Sequence, residues 1–517
     1  MKNLLYFLFL GLLITGCEKQ LDIQNPNSKS IELYWKTADD AHLGVNAIYN
    51  SLIQDGTYMR MFPALTDVRG DDFTGDSPWG DLVQTGTFSI PSNSGPVQWI
   101  WATHYQVVWR ANQVIVNVPG ITMDEDQKKR ILGQAHFLRG LALFNLANTY
   151  KVIPVPLELP VDKTKYNTPT ATEEVLWKQI FDDFKAAKES LPVSYSGLAG
   201  PDGAQIGRAT KGAATGMLGK AYLYRKLWSD AAAEFNELIN GAQAGKYALV
   251  ADYRDNFKEI NENNAESLFE IQFGQPDAVG GTIMNYGGEP NANWKQVSST
   301  GRTYAMDGHG YSDFLPTRWI YNEFKTEKTV DGKSDPRLLA TIASYESADN
   351  STTVYGGAWP FAENMIYPRK YTHDGLNWAG NDDQENSGIN YRVLRYADVL
   401  LMYAEALNEG QQTTQAYSYI QQVRTRAKLP DLAIVKPGMS QQQMRDQIAH
   451  ERALEFSIES IRINDIIRWG WLYDAAKLAE LKSHDPDFNT WIPGKEYLPI
   501  PLSELNINPN LLRNPAN

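Results

Sequence analysis

The stretch LGKAYLYRKLWSDAAAEF, residues 218–235, contains the pattern that decides the fold of this chain. Within it, the small residues Gly219 and Ala231 alternate with the large aromatic residues Tyr222 and Phe235. At these spacings the small residues let two helices approach closely, while the two rings fill the groove beside them. The stretch therefore predicts a pair of packed helices.

Such an arrangement is typical of a tetratricopeptide repeat. A weaker copy pairs Ala404 with Ala416 and Ile420, and Phe184 with Ala187 indicates the second helix of another pair. One such unit cannot bury its apolar face alone, so several units must stack. We therefore expect an all-α dominated fold built on a tetratricopeptide-like helical scaffold.

Two long stretches without helical periodicity interrupt the predicted scaffold. One spans about residues 55–96 and the other about residues 272–391, and the second contains 14 of the chain's 39 glycines. The helical framework itself is predicted over about 100–270 and 391–475. Because an irregular segment this long inside a compact domain is normally functional, we expect these insertions to have a function beyond connecting helices.

Residues 1–16 have the layout of a secretory signal peptide. Lys2 precedes an almost wholly apolar run from residue 4 to residue 14, which is too short to span a bilayer. The end of this run, Ile14-Thr15-Gly16-Cys17, looks like a bacterial lipobox, in which the cysteine sulfur takes a diacylglycerol. Cys17 is the one cysteine of the sequence, and we expect its thiol to carry the lipid. The alternative is a plain signal peptide with a chance cysteine.

These features predict how the chain is divided. We expect a signal peptide over residues 1–16, a lipid-anchored tether over 17–30 and a single domain over 31–517. No later apolar run reaches the roughly 18 residues that a membrane-spanning helix needs. The acyl chains would therefore hold the protein at the membrane.

The charge balance excludes two classes of partner. Lys and Arg number 48 against 61 Asp and Glu, which gives a formal net charge of −13. Nucleic acid binding needs clustered Lys and Arg on phosphates, so it is not expected here. The same balance argues against an electrostatic attachment to anionic lipid.

A series of short motifs runs in order along the chain behind Cys17. They are Ala135-x-x-Leu138-Arg139-Gly140-x-Ala142, Pro154-Val155-Pro156, Gly207-Arg208-Ala209-Thr210-Lys211-Gly212, Leu394-Arg395-Tyr396-Ala397-Asp398-Val399-Leu400-Leu401, Val423-Arg424-x-Arg426-Ala427, Glu451-Arg452-x-x-Glu455-Phe456, Arg468-Trp469-Gly470 and Tyr497-Leu498-Pro499-Ile500-Pro501. With these motifs the sequence resembles the SusD/RagB family of outer-membrane lipoproteins. The resemblance implies a SusD-like fold, binding of a glycan at the cell surface, and its delivery to a SusC-like TonB-dependent transporter.

The charged residues of these motifs alternate in sign at helical spacing. Arg395 and Asp398 form one such group, and the residues from Glu451 to Arg468 form another. A functional interpretation would make the acids catalytic. We favour buried or half-buried ion pairs that fix the register of the helices. Thr210 is predicted to cap the helix that follows it.

The sequence shows no recognisable catalytic motif. His450-Glu451 has no second histidine at position 454, so the zinc-protease helix is absent, as are a GxSxG elbow, a P-loop and a GxGxxG motif. We therefore do not expect an enzyme. A carboxylate pair for glycoside hydrolysis can lie far apart along a chain, so a lipid-anchored glycoside hydrolase on a helical repeat stays as the alternative.

Binding of a glycan calls for aromatic platforms, because the C–H face of a sugar packs on a ring while its hydroxyls seek polar side chains. The resemblance implies that such a site lies among the loops above the scaffold. Each candidate could instead pack within the loops. The candidates are Trp79, Trp294, Tyr304, Tyr311, Trp359 and Trp378, with Asp72, Asn293 and Asp382 as polar partners.

Two further questions stay open at this point. Asp71, Asp72 and Asp76 could bind a structural calcium ion, although a solvated acidic loop is the simpler interpretation. No other metal or cofactor is expected. The ligand could also be a peptide, and a protein scaffold that holds partners without a small ligand is a third hypothesis.

Overall fold

The computed structural model describes residues 34–76, 79–160, 162, 165–274, 296–376, 382 and 386–514. The helices are α1 Ala38–Leu52, α2 Met61–Asp67, α3 Gly80–Gly86, α4 Gly95–Asn117, α5 Glu125–Tyr150, α6 Glu173–Ser190, α7 Lys211–Tyr224, α8 Trp228–Ile239, α9 Thr300–Tyr304, α10 Arg318–Glu323, α11 Pro336–Thr341, α12 Tyr396–Glu409, α13 Thr413–Arg426, α14 Leu432–Val435, α15 Gln441–Phe456, α16 Arg462–Trp469, α17 Ala475–His484 and α18 Leu502–Ile507. The strands are β1 Phe73–Gly75, β2 Ser267–Ile271, β3 Phe314–Pro316, β4 Ile342–Ser344, β5 Thr353–Val354, β6 Gly357–Ala358, β7 Ile366–Pro368 and β8 Tyr391–Arg395. Helix therefore dominates, as predicted.

Side-chain caps fix where several helices begin. Thr210 Oγ1 accepts a hydrogen bond from the backbone N–H of Ala213 at 3.2 Å, which confirms the predicted start of α7. Thr172 caps α6 in the same way through Val175. Each cap satisfies an N–H group that has no partner within the helix and is worth about 1 kcal/mol.

Helices α7 and α8 form the pair that residues 218–235 predict. Ala231 and Phe235 are fully buried. A Cβ added to Gly219 would lie 2.6 Å from Cε1 of Phe235, which is far inside van der Waals contact. Only glycine therefore allows the ring of α8 to lie directly against the backbone of α7.

The three predicted pairs stack side by side although they are distant in sequence. Helices α5 and α6 pack on each other, α6 packs on α7, α8 packs on α12, and α12 packs on α13. Phe184 of α6 lies against Gly140 of α5, which identifies α5 as the partner that the sequence left unnamed. Stacking buries the apolar face that each pair leaves open.

Ion pairs connect the helices within this scaffold. Arg395, 1% exposed, lies between three carboxylates: Glu266, Glu455 at 2.9 Å and Glu459 at 2.7 Å. Most of these pairs cross between elements instead of running along one helix. The prediction of buried ion pairs is confirmed, and the carboxylates are used to fix the positions of neighbouring elements.

The first predicted insertion differs from its prediction. Residues 51–73 are buried almost throughout, and they form the π-helical turn Asp55–Met59 followed by α2 and β1. Tyr58, Met59 and Leu65 join the main core. The Gly and Asp content of this segment resembles that of a loop, but its apolar side chains carry it into the interior.

The second insertion contains short paired strands together with three short helices, α9, α10 and α11. Strand β3 pairs antiparallel with β1, and β4 pairs with β7. Met306, Val354 and Tyr367 form a small apolar cluster of their own beneath this region. In the described part of the chain, no helix is both long enough and apolar enough to cross a membrane.

Candidate functional site

Partly buried aromatic side chains gather where the two insertions meet. We call the surface formed by Trp79, Tyr311, Tyr355, Trp359 and Phe361 the loop face. The pairing of β1 with β3 brings the segment after residue 75 beside the segment before residue 314. The contact of β3 with β7 adds the residues around 359–367.

Trp79 and Tyr311, both predicted, lie together because Arg60 connects them. The Arg60 guanidinium carbon is 4.4 Å from the centroid of Trp79 and 5.0 Å from that of Tyr311. Arg302 lies over Tyr311 at 4.3 Å. Arg60 Nη2 is also 3.1 Å from Asp313 Oδ2, which holds the guanidinium in place. Because Arg60 is buried, a ligand at this point would meet the two rings and the partly exposed guanidinium of Arg302.

Trp359 presents a partly buried ring on the small apolar cluster. Its centroid lies 5.7 Å from that of Phe361 and 6.4 Å from that of Tyr367. Its indole N–H donates to the carbonyl oxygen of Ala362 at 3.3 Å. The ring is thus held from below and at its edge, so the remaining face can serve as a platform.

A second stacked pair on the loop face was not predicted. The rings of His309 and Tyr355 are nearly parallel, with centroids 3.8 Å apart and an interplanar angle of 5°. The Tyr355 hydroxyl donates to Asp382. Neither residue lies in a repeat or a motif, so no pattern in the sequence marks them as neighbours.

Asp382, predicted as a polar partner of the ligand, is 1% exposed and acts inside the protein. It accepts hydrogen bonds from the Tyr355 hydroxyl, from the backbone N–H of His373 at 2.8 Å and from the His373 ring. Burial lowers the pKa of His373, but the Asp382 carboxylate outweighs burial and raises that pKa to about 9. Asp382 thus positions Tyr355 instead of facing solvent.

Two further predicted residues are buried, which corrects their assignment to the surface. Tyr304 is 1% exposed, and its hydroxyl donates to Asp67 Oδ2 at 2.7 Å. Asp72 is 2% exposed, and burial together with the neighbouring Asp71 raises its pKa to about 7. An enclosed side chain offers no surface to a ligand. In an irregular segment no periodicity separates inward from outward positions, so sequence reasoning could not see this.

The three aspartates considered for calcium do not form a cation site. Asp71 is fully buried and is paired with Arg462 Nη2 at 2.9 Å and with His484 Nδ1 at 2.7 Å, while Asp76 is exposed. Among the described residues, Glu327, His450 and Glu451 are the one group with metal-like spacing. Arg424 bonds both of these glutamates at 2.6 Å, so the group is an ion-pair cluster.

The remaining predicted residues lie outside the part of the chain that the structure describes. They are Cys17, Asn293, Trp294 and Trp378. Of the loop-face predictions, Trp79, Tyr311 and Trp359 are therefore the ones that the structure places on the surface.

Known proteins match this chain over nearly its whole length. Residues 265–516 match the model described as "SusD family", and residues 21–223 match the model described as "Starch-binding associating with outer membrane". SusD-like protein P2 of Formosa agariphila is 28% identical, and the match covers 99% of each chain.

Solved structures share the fold. A SusD superfamily protein of Bacteroides vulgatus has a TM-score of 0.79 at 26% identity, over 94% of this chain and 100% of its own. Surface glycan-binding protein A of Bacteroides thetaiotaomicron, in complex with laminarihexaose, has a TM-score of 0.71 at 21% identity, over 92% of this chain and 99% of its own. With both parts of the sequence and nearly the full length of the fold matched, the chain belongs to the SusD family.

Proposed function

We propose that this protein binds a glycan on the loop face and delivers it to a SusC-like TonB-dependent transporter. The observation that carries the proposal is Trp359, whose ring is held by Phe361, Tyr367 and the Ala362 carbonyl while it stays partly exposed. The C–H face of a sugar packs on a flat aromatic ring that is held in place and partly exposed to solvent.

Polar groups beside this ring suit the hydroxyls of a sugar. Asp76 and Asp307 are exposed. Burial raises the pKa of Tyr367, and the negative charges of Asp307 and Asp76 raise it further. Exposed carboxylates accept hydrogen bonds from sugar hydroxyls, and the guanidinium of Arg302 can donate hydrogen bonds to the hydroxyl oxygens. The loop face thus combines ring platforms with both donors and acceptors.

The ligand class also draws on the relatives. One structural neighbour was solved with laminarihexaose, and one matching model is described as starch-binding. Binding without hydrolysis is supported by the scaffold, whose carboxylates are tied to arginines, as at Arg395. We therefore favour a receptor over the glycoside hydrolase considered from sequence.

The anchor belongs to the same proposal. Cys17 would carry the lipid, residues 17–30 would form the tether, and the domain would face outward from the outer membrane. Cys17→Ala should move the protein from the membrane fraction to the soluble fraction. Retention of that variant in the membrane fraction would contradict the lipid anchor.

The central experiment measures binding of the mature chain to a panel of oligosaccharides by calorimetry. Trp359→Ala should weaken the affinity for the bound glycan at least tenfold, because it removes a stacking ring worth about 1.5 kcal/mol or more. Trp109→Ala is the matched control, since Trp109 is 43% exposed on α4, away from the loop face. It should change affinity less than twofold.

Two results would overturn the proposal in favour of its alternatives. Release of new reducing ends from a bound glycan would indicate a hydrolase. Failure of the wild-type chain to bind any glycan, while a tagged chain still co-purifies with a TonB-dependent transporter, would indicate a scaffold.

A further inference from the structure

Two cavities lie on either side of a short segment that the loop face does not include. We call residues 205–208, Gln205-Ile206-Gly207-Arg208, the ridge, and the two spaces beside it the ridge cavities. Each has a volume of about 690 Å³, within the range of small-molecule sites. All four residues of the ridge line both cavities.

The backbone of the ridge is fixed by its glycine. Gly207 has φ +91°, a conformation that disfavours other residues, and a Cβ there would lie 2.4 Å from Cδ of Gln272. Ile206 beside it is 77% exposed. The ridge is thus a defined turn with one side chain projecting into solvent between the cavities.

Amides and tyrosines make up much of the cavity walls. Tyr195, Tyr247, Asn263 and Asn264 line one cavity, and Asn46, Tyr49, Asn50 and Gln272 line the other. Amides both donate and accept hydrogen bonds, and tyrosine adds a ring with a hydroxyl. Such walls match a ligand that is rich in hydroxyl groups.

Arg208 is the charged group at the centre of this region, and its acceptors are neutral. Its Nε, Nη1 and Nη2 donate to the amide oxygens of Gln205, Gln134 and Asn46 at 2.6, 2.7 and 2.7 Å. No carboxylate within the described ranges pairs with it. A guanidinium has five N–H groups, so these bonds orient the fork and leave two donors over.

Neighbouring arginines, unlike Arg208, are paired with carboxylates. Arg130 Nε and Nη2 bond Asp202 at 2.9 and 2.8 Å, and Arg139 pairs with Asp183 at 2.7 Å. Lys246 and Arg110 also line the cavities, whereas Glu270 is their one acidic lining residue. Glu270 is 1% exposed and accepts from Asn390 Nδ2 at 3.0 Å. The cavities are therefore positive within an acidic chain.

We propose that the ridge cavities form a second carbohydrate site, which takes a saccharide bearing a carboxylate or sulfate ester, with Arg208 as the residue that selects the acidic group. Guanidinium recognises both anions through paired N–H donors. The amides and tyrosines of the walls bind the neutral hydroxyls. None of the lining residues belongs to the loop face.

The test uses tetragalacturonate as the probe and cellotetraose as its uncharged counterpart of equal length. Both are titrated into the mature Trp359→Ala chain, in which binding at the loop face is weakened. Tetragalacturonate should bind this variant with the same affinity as it binds the wild type. Cellotetraose should bind the variant at least tenfold more weakly than tetragalacturonate does. Hydrogen exchange should show protection of the backbone over residues 193–210 when tetragalacturonate is added.

The discriminating variant is Asn46→Asp, which keeps the hydrogen bond to Arg208 Nη2 and gives the guanidinium a carboxylate partner. It should weaken tetragalacturonate binding at least tenfold while the protein stays folded. Gln442→Glu is its control, because Gln442 is also an exposed amide that accepts from an arginine, Arg445 at 3.2 Å. Arg445 already pairs with Glu409, so binding should change less than twofold.

Each contrary outcome has one meaning. Equal affinity for both tetrasaccharides, or unchanged binding by Asn46→Asp, would overturn the role of Arg208. Binding of a peptide with a free terminal carboxylate, but of neither saccharide, would overturn the ligand class. Loss of tetragalacturonate binding through Trp359→Ala alone would assign the saccharide to the loop face, which leaves the proposed function intact and removes this second site.

Discussion

Arg60 lies over the ring of Trp79, with its guanidinium carbon 4.4 Å from the indole centroid. Arg60 is 7% exposed and belongs to the buried segment that leads into α2. Trp79, in contrast, lies on the loop face. This contact, together with the pairing of Arg60 and Asp313, connects the interior of the domain to the loop face. The position of the aromatic groups is therefore set by the packing beneath them.

Arg60→Ala should destabilise the protein by about 3 kcal/mol, because it leaves the Asp313 carboxylate, 2% exposed, without this partner. It should also weaken glycan binding, since Trp79 and Tyr311 lose the group between them. Urea denaturation and calorimetry measure the two effects. Arg302→Ala is the control for stability only. Arg302 is partly exposed and has no carboxylate partner in the described ranges, so its removal should lower the free energy of unfolding by about 1 kcal/mol or less. Equal losses of stability in the two variants would contradict this account.

Gly219→Ala should destabilise the protein by about 1–3 kcal/mol, because the added methyl group would meet the Phe235 ring at 2.6 Å. Gly120→Ala is the matched substitution, since a Cβ at Gly120 meets nothing within 4 Å. It should be neutral within about 0.5 kcal/mol or slightly stabilising. Thermal and urea unfolding of the two variants measure this difference in stability. A neutral Gly219→Ala would mean that α7 and α8 do not depend on this close approach.

The contrast between these sites shows what the sequence could reveal. Gly219 and Phe235 belong to neighbouring helices, so their spacing carries a periodic signal that predicts the pair. The stacking of such pairs follows from the need to bury their open faces. The scaffold was therefore predictable from local patterns.

The loop face depends on relationships without such a signal. Arg60 and Asp313 are 253 positions apart, and the pairing of β1 with β3 that brings their segments together involves three residues per strand. No periodicity marks strands this short. For the same reason the sequence could not show that Tyr304 points inward while Trp359 stays partly exposed.

Asp485→Asn should stabilise the protein at pH 8 by at least about 1 kcal/mol and have little effect at pH 4. Burial, with Asp487 and the nearby Asp71 and Asp72, raises the pKa of Asp485 to about 7, and its Oδ2 has no hydrogen-bond partner among the described residues. The pKa of Asp485 is higher in the folded protein than in the unfolded chain, where it is about 3.9. Its contribution to stability is therefore complete below pH 3.9 and is lost as pH rises toward 7. The neutral amide avoids that loss.

Urea denaturation at both pH values measures this difference. Glu363→Gln, at an exposed position in the second insertion, is the control for loss of one negative charge. It should change stability by less than about 0.5 kcal/mol at either pH. A destabilised Asp485→Asn at pH 8 would show that the carboxylate is favourably bound there.

His373→Gln should cost more stability at pH 6 than at pH 9.5. Burial opposes the charge on His373, but Asp382 and Glu259 outweigh it and raise the pKa to about 9. Because the folded-state pKa lies above the unfolded value of about 6.5, the stabilising contribution is complete below pH 6.5 and is lost as pH rises through 9. His104→Gln provides the comparison, since burial lowers the pKa of His104 to about 4 and the ring is neutral at both pH values. At pH 6 the imidazole is still partly protonated in the unfolded chain, whose pKa is about 6.5, and this lowers the stability of the wild type. The cost of His104→Gln should therefore be smaller at pH 6 than at pH 9.5, the opposite trend to His373→Gln, as measured by urea denaturation. If the cost of His373→Gln does not fall between pH 6 and pH 9.5, the ring does not form a charged pair with Asp382, and Tyr355 is then held by a neutral hydrogen-bond network.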